Sequence, residues 1–166
     1  MVNKETKILF GSLIFTFLLI VGLSFLLSRN DKNLGEVKGV EAAPAFYEMG
    51  DVPINGGIVS REYLVKNNTG EDLTLRKIAT SCMCTEAKVL IGGEETSYYG
   101  MEHATDKNPP INMSFAPGEA AKVVVNFDPA AHGPEGVGPF ERDVWLTFSD
   151  PAGVKTLSFY GRVTSE

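Results

Sequence analysis

Residues 58–78, IVSREYLVKNNTGEDLTLRKI, decide the fold. Two short runs rich in Val, Ile, Leu and Tyr, 58–66 and 73–78, flank Asn67-Asn68-Thr69-Gly70, a strong turn sequence. The second run alternates Leu73, Leu75 and Lys77 against Thr74, Arg76 and Ile78. That is the period of a half-buried strand. The same texture extends in both directions. Residues 45–49 form a run closed by the Gly56-Gly57 break, and 87–91 form another that ends at Gly92-Gly93. Residues 120–127 put Val123, Val125 and Phe127 on one face, and 140–148 and 155–163 make a closing pair around 149–153. Helical amphipathicity is absent after residue 44. The expectation is an all-β, immunoglobulin-like β-sandwich of about seven strands. Within it, 94–110 is too long and too polar for a simple connection, as functional loops often are.

The N-terminus reads differently. Residues 8–27 contain no charged side chain, about the length that crosses a bilayer core as a helix. Ser12, Thr16 and Ser24 can bond back to helical carbonyls. A cleaved signal peptide competes, but its apolar core is shorter and ends at a small-residue site, whereas here Ser28-Arg29-Asn30-Asp31-Lys32 follows. The expected layout is a cytoplasmic 1–7, a transmembrane signal anchor over 8–27, a flexible tether over 28–44 and the sandwich over 45–166. Lys4 and Lys7 precede the span while Arg29, Lys32 and Lys38 follow it, so the positive-inside rule does not set the orientation. The short basic start before the apolar run resembles a signal anchor, which places the domain outside the cytoplasm on a single-pass cell-membrane protein.

The formal net charge is −6, and 45–166 alone carries ten Lys and Arg against seventeen Asp and Glu, 10 − 17 = −7. Such a surface repels nucleic acid. Gly-x-Ser-x-Gly, phosphate-cradling glycine loops and His-Glu-x-x-His are absent, so neither an enzyme nor a small-molecule substrate is expected. Glu94-Glu95 and Glu71-Asp72 read as solvated turn charges, and Trp145, alternating with Val144 and Leu146, as a core or half-core aromatic. Asn67-Asn68-Thr69 and Asn112-Met113-Ser114 match the glycosylation pattern, a match that arises often by chance.

Several stretches together resemble a bacterial family known as domain of unknown function 1573. They are Gly57-Ile58-Val59, the Lys66-Asn67-Asn68-Thr69-Gly70 turn, 73–78, Ser81-Cys82-Met83-Cys84-Thr85, Ala116-Pro117-Gly118-Glu119, Phe127-Asp128-Pro129 and Gly161-Arg162-Val163. The resemblance covers 45–164 and implies an exported immunoglobulin-like domain, with no activity attached. Its most specific element is Ser-Cys-x-Cys-Thr. The commonest family pattern has Gly where this chain has Met83, and 94–110 and 128–134 are expanded, which marks a divergent branch.

Cys82 and Cys84 are the only cysteines. Three readings stay open at this point. They are small buried groups beneath a turn, a redox pair whose disulfide closes a very small ring, or two ligands for a soft metal ion. The metal reading draws in Met101, His103 and His132, because both histidines lie in the expanded loops and Met and His are ligands such an ion accepts. Copper(I) is favoured over zinc by the nearby methionines. In a seven-strand order the Cys82–Cys84 turn and the His132 loop share one end of the sandwich. That holds if 87–91 is the only crossing before residue 120; a further full crossing at 111–115 moves His132 to the far end. The favoured function is therefore a non-enzymatic, membrane-anchored envelope protein that binds copper. The alternatives are an interaction module for an envelope protein partner, with structural cysteines, and a Cys-x-Cys thiol–disulfide redox protein.

Overall fold

In the computed structural model, residues 13–20, 34–103, 107–150 and 152–165 are described. The chain divides into two units, Met1–Asn33 and Leu34–Glu166. In the first, residues 13–20 are helical, and most of the span expected over 8–27 lies outside the described residues. Among the described residues, no helix is long and apolar enough to cross a membrane.

The second unit is an immunoglobulin-like β-sandwich with ten strands among its described residues. They are β1 (Val40–Ala43), β2 (Phe46–Pro53), β3 (Val59–Asn67), β4 (Leu73–Thr80), β5 (Thr85–Ile91), β6 (Glu94–Glu95), β7 (Met113–Phe115), β8 (Ala120–Phe127), β9 (Gly138–Ser149) and β10 (Gly153–Thr164). One sheet has the order β1-β3-β8-β5-β6, the other β2-β10-β9-β4-β7. All pairings are antiparallel except β2 on β10. Period-2 alternation fills the space between the sheets. Tyr63, Val65, Val123, Val125 and Phe127 come from one sheet, and Leu73, Leu75, Val144, Leu146, Phe148, Leu157 and Phe159 from the other. The Tyr63 hydroxyl crosses the core and donates to the Ser158 carbonyl at 2.7 Å, which satisfies a buried donor that would otherwise cost about 1–3 kcal/mol.

Three features depart from the sequence reading. The sandwich begins before residue 45: Glu36 bridges Val154, Val37 and Val40 are buried, and β1 pairs with β3 from Val40↔Asn67 to Ala43↔Leu64. Part of the expected 28–44 tether is thus structural, because Val37 and Val40 each find an apolar seat. Second, the register of β4 on β9 shifts between Leu75 and Lys77. A bulge there inserts one residue and reverses the alternation, so Ile78 faces the core and Lys77 does not. Third, Trp145 lies on the outer face, 37% exposed, because Val144, Leu146 and Phe148 take the inward phase of β9.

Residues 94–103 and 107–112 run a course the sequence did not disclose. Gly92 and Gly93, both with positive φ, turn the chain at the far end of β5, as a tight hairpin requires. It returns beside β5 through the Ile91–Glu94 and Leu90–Glu95 strand pairs and the Tyr99–Ala87 bridge, and reaches Thr80, whose N–H bonds the Gly100 carbonyl at 3.3 Å. It then descends beside β4, with the Ile111 N–H on the Arg76 carbonyl at 3.0 Å and Phe115 opposite Leu73. Two further crossings are made rather than one, so the chain enters β8 with its direction unchanged and the His132 loop stays at the cysteine end.

The turn between β3 and β4 is held by one side chain. Buried Asn67 donates to the carbonyls of Glu71 and Phe115 at 2.9 and 2.8 Å and accepts from the Thr69 N–H and hydroxyl. Both amide hydrogens are therefore engaged in the fold, and this Asn-Asn-Thr match is a turn device.

Candidate metal centre

The Cys82–Cys84 turn is positioned by backbone contacts from three strands. The Thr80 hydroxyl lies 3.0 and 2.9 Å from the carbonyl oxygens of Cys82 and Thr85, and the Thr85 N–H closes the turn on the Cys82 carbonyl at 3.1 Å. Ser81 exchanges two bonds with β9: its N–H donates to the Asp143 carbonyl, and its hydroxyl accepts the Asp143 N–H. The Asp128 N–H, just past β8, bonds the Cys84 carbonyl at 2.9 Å. The Asp128 carboxylate accepts the Ala130 N–H at 2.9 Å and the Gly133 N–H bonds the Ala130 carbonyl. That chain of turns fixes His132 immediately before the short 3-10 helix Gly133–Gly136.

Cys82 and Cys84 are joined by a disulfide, with Cα atoms 5.2 Å apart. They are 8% and 3% exposed, whereas His132 is exposed. His132 Nε2 stands 3.1 Å from Cys82 Sγ, and Arg142 Nε donates to Cys84 Sγ at 3.1 Å. The sulfurs also receive the Cys84 N–H at 3.2 Å on Cys82 and face the Thr85 hydroxyl at 3.6 Å from Cys84. The donor atoms of Cys82, Cys84 and His132 all lie within 4.8 Å of one another, the one grouping of three or more His, Cys, Asp or Glu donors among the described residues.

His103 is not part of that group and is exposed, next to 104–106, which lie outside the described residues. Met101 folds back to the cysteine end but lines a separate depression with Lys77, Ala79, Thr80, Ser81, Glu102, Lys107 and Trp145. Met83, between the cysteines, is exposed and borders a depression with Ile58, Cys84 and Asn126.

Arg142 was not anticipated, although its position is legible. It shares the inward phase of Phe140, Val144, Leu146 and Phe148 on β9, where a charge needs a partner. Burial lowers its pKa from the ordinary guanidinium value, yet an arginine remains charged at neutral pH. His132, Arg142, Glu135, Phe127, Phe140 and Val163 are among the walls of a cavity of about 340 Å³ beside the centre.

Glu102 pairs with Lys77 and Lys107 and accepts the Asn108 N–H at 3.1 Å, which ties residue 102 to β4 and to the start of 107–112. Burial works to raise the Glu102 carboxyl, but the Lys77 bond, the Asn108 N–H and the two ammonium groups outweigh it and lower its pKa. The contact is in full force above the unfolded-state carboxyl pKa and is lost as pH falls through the lower folded one. The Asn108 amide resonance is therefore expected to hold its position at neutral pH and to move only below the usual glutamate range of about 4.3. Glu102→Gln should abolish that titration.

No protein-family model matches the sequence. No curated protein matches it either. Among solved structures, the chain is similar to a protein of unknown function from Porphyromonas gingivalis W83, with 14% identity and a TM-score of 0.53 over 80% of this chain and 50% of that one. A VesB protease of Vibrio cholerae gives 18% identity and a TM-score of 0.47 over 75% of this chain and 32% of that one. The CARDB domain of PF1109 from Pyrococcus furiosus gives 16% identity and a TM-score of 0.39 over 79% and 99%. The chain spans about half the length of the first of these and about a third of the second. At such identities the likeness is one of fold alone, and the chain is similar in fold to the Porphyromonas protein.

Proposed function

We propose that this chain is a non-enzymatic, membrane-anchored module of the cell envelope that binds a soft metal ion through Cys82, Cys84 and His132. One observation carries the reading: three donors of the right chemistry, brought from two separate loops, lie within 4.8 Å of one another. Two thiolates and an imidazole suit copper(I) and zinc, and carboxylate-seeking ions poorly. The disulfide is then the metal-free, oxidised form. An external dithiol supplies two electrons and two protons, becoming a disulfide itself, and the freed thiols release their protons to water as the cation binds the thiolates. Copper(I) is the ion we favour. His103 lies outside the three-donor group and Met101 lines a separate depression, so this reading leaves a fourth position to water or to a partner's donor. The anchor over 8–27, the extracytoplasmic orientation and the likeness to domain of unknown function 1573 belong to the same proposal and rest on the sequence.

The test is a copper(I) titration of the reduced, detergent-solubilised full chain against a competing chelator, under anaerobic conditions. One-to-one binding is expected. Loss of an outer-sphere partner already costs metal sites about 10–100-fold, and His132→Ala, which removes a ligand, should cost at least that. Wild-type chain that takes no copper or zinc from the chelator would sink the proposal.

A second reading is supported by a different surface. Trp145 and the stacked pair Phe46–Tyr160 are exposed on β9, β2 and β10 of one sheet. Aromatic side chains of this kind suit a protein-interaction face, and in that reading the cysteines are structural.

A further inference from the structure

We infer that Arg142 makes this centre selective for a monovalent soft cation, copper(I), over divalent zinc. The inference rests on the metal-binding reading above. Two thiolates and a neutral imidazole leave one net negative charge around a monovalent ion and none around a divalent one. Arg142 Nε already lies at hydrogen-bond distance, 3.1 Å, from Cys84 Sγ. A guanidinium there pairs with the residual charge of the copper(I) complex. Around zinc the same guanidinium faces a neutral cluster built on a dication, and its charge goes uncompensated. Partial burial magnifies the difference, because the local dielectric is below that of water.

The surroundings support the assignment. Arg142 is fixed by its Nη1 bond to the Glu141 carbonyl at 2.7 Å and by the Phe140 ring, 6.0 Å from its Cζ. Among the described residues it is the one charged side chain that bonds either sulfur. Of the nearby carboxylates, Asp128 accepts the Ala130 N–H, Asp143 accepts the Ser158 hydroxyl, and Glu135 shares a cavity wall with Arg142 without forming an ion pair with it. No carboxylate of a described residue forms an ion pair with Arg142. An inward-phase cation without a carboxylate partner is costly. The anionic sulfurs of a metal-loaded centre supply the partner that the disulfide, being neutral, does not.

The experiment compares wild type, Arg142→Gln and Arg142→Lys as reduced full chains in detergent, each titrated with copper(I) and with zinc(II) against chelators of known affinity. A hydrogen bond to a charged group sets the scale, so Arg142→Gln is expected to weaken copper(I) by about 10–100-fold. Zinc(II) binding should be unchanged or tightened, and Arg142→Lys should restore most of the copper preference. Equal losses for both metals in Arg142→Gln make Arg142 merely structural and overturn the inference, as does an unchanged copper-to-zinc ratio or a lysine variant that behaves like the glutamine one. Failure of the wild type to bind either metal removes the centre itself, a result distinct from a centre that binds without selectivity.

Discussion

Replacing Phe127 by alanine is expected to lower the unfolding free energy by about 3–5 kcal/mol, the usual cost of removing a buried phenylalanine ring. Phe127 is buried at the end of β8, stacked on Phe140 at 4.5 Å and edge-on to Phe159 at 5.6 Å. It joins the two sheets at the end that carries the cysteines. Its neighbour Asp128 bonds the Cys84 carbonyl, and Phe127 itself pairs with Thr85. Domains of this size have about 5–15 kcal/mol in total, so the variant forfeits a large share of the stability. Denaturant melts of the non-reduced chain give the loss directly. A cost below about 1 kcal/mol would mean that this end of the core is looser than the packing indicates.

The largest functional effect is expected from Cys82→Ser/Cys84→Ser. With two of three donors gone, both of them the soft thiolates that such an ion prefers, copper(I) affinity should fall by at least about three orders of magnitude. Folding should survive. The turn is held by Thr80, Ser81 and the Asp128 N–H rather than by sulfur, and a disulfide across two residues closes too small a loop to remove much chain entropy. A denaturant midpoint close to the wild type's, with binding gone, separates ligation from scaffolding. Binding retained by the serine pair would move the metal away from this turn.

The fold was largely legible because the sandwich writes its period into each strand. Val123, Val125 and Phe127 face inward as their alternation requires, and the Asn67–Gly70 turn joins the strands it separates. Strand alternation breaks where it is locally interrupted. The shift between Leu75 and Lys77 turned Ile78 inward, and no composition signal marks a bulge whose extra residue is an ordinary Arg76. Residues 34–43 read as a tether because Val37 and Val40 are isolated among charged and small residues; their burial depends on β10 and β3, far along the chain. The course of 94–103 and 107–112 was equally opaque, since its ladder bonds are made by backbone groups and by Asn108 and Glu102, polar side chains that look like a solvated loop. The cysteine turn and His132 could be placed at one end from topology, but only up to the parity of the crossings between them. Arg142 stood in plain sight as the one charged residue in the apolar phase of β9, a signal that means something only once the strand's inward face is known.

The most direct measurement is X-ray absorption at the copper edge on the reduced full chain loaded with one equivalent of copper(I). Metal–sulfur and metal–imidazole distances in soft-metal sites are about 2.3 and 2.0 Å. A first shell of two sulfurs and one imidazole nitrogen near those distances, with the nitrogen lost in His132→Ala, is the predicted result. A shell without sulfur, or one unchanged in His132→Ala, contradicts a centre built from Cys82, Cys84 and His132.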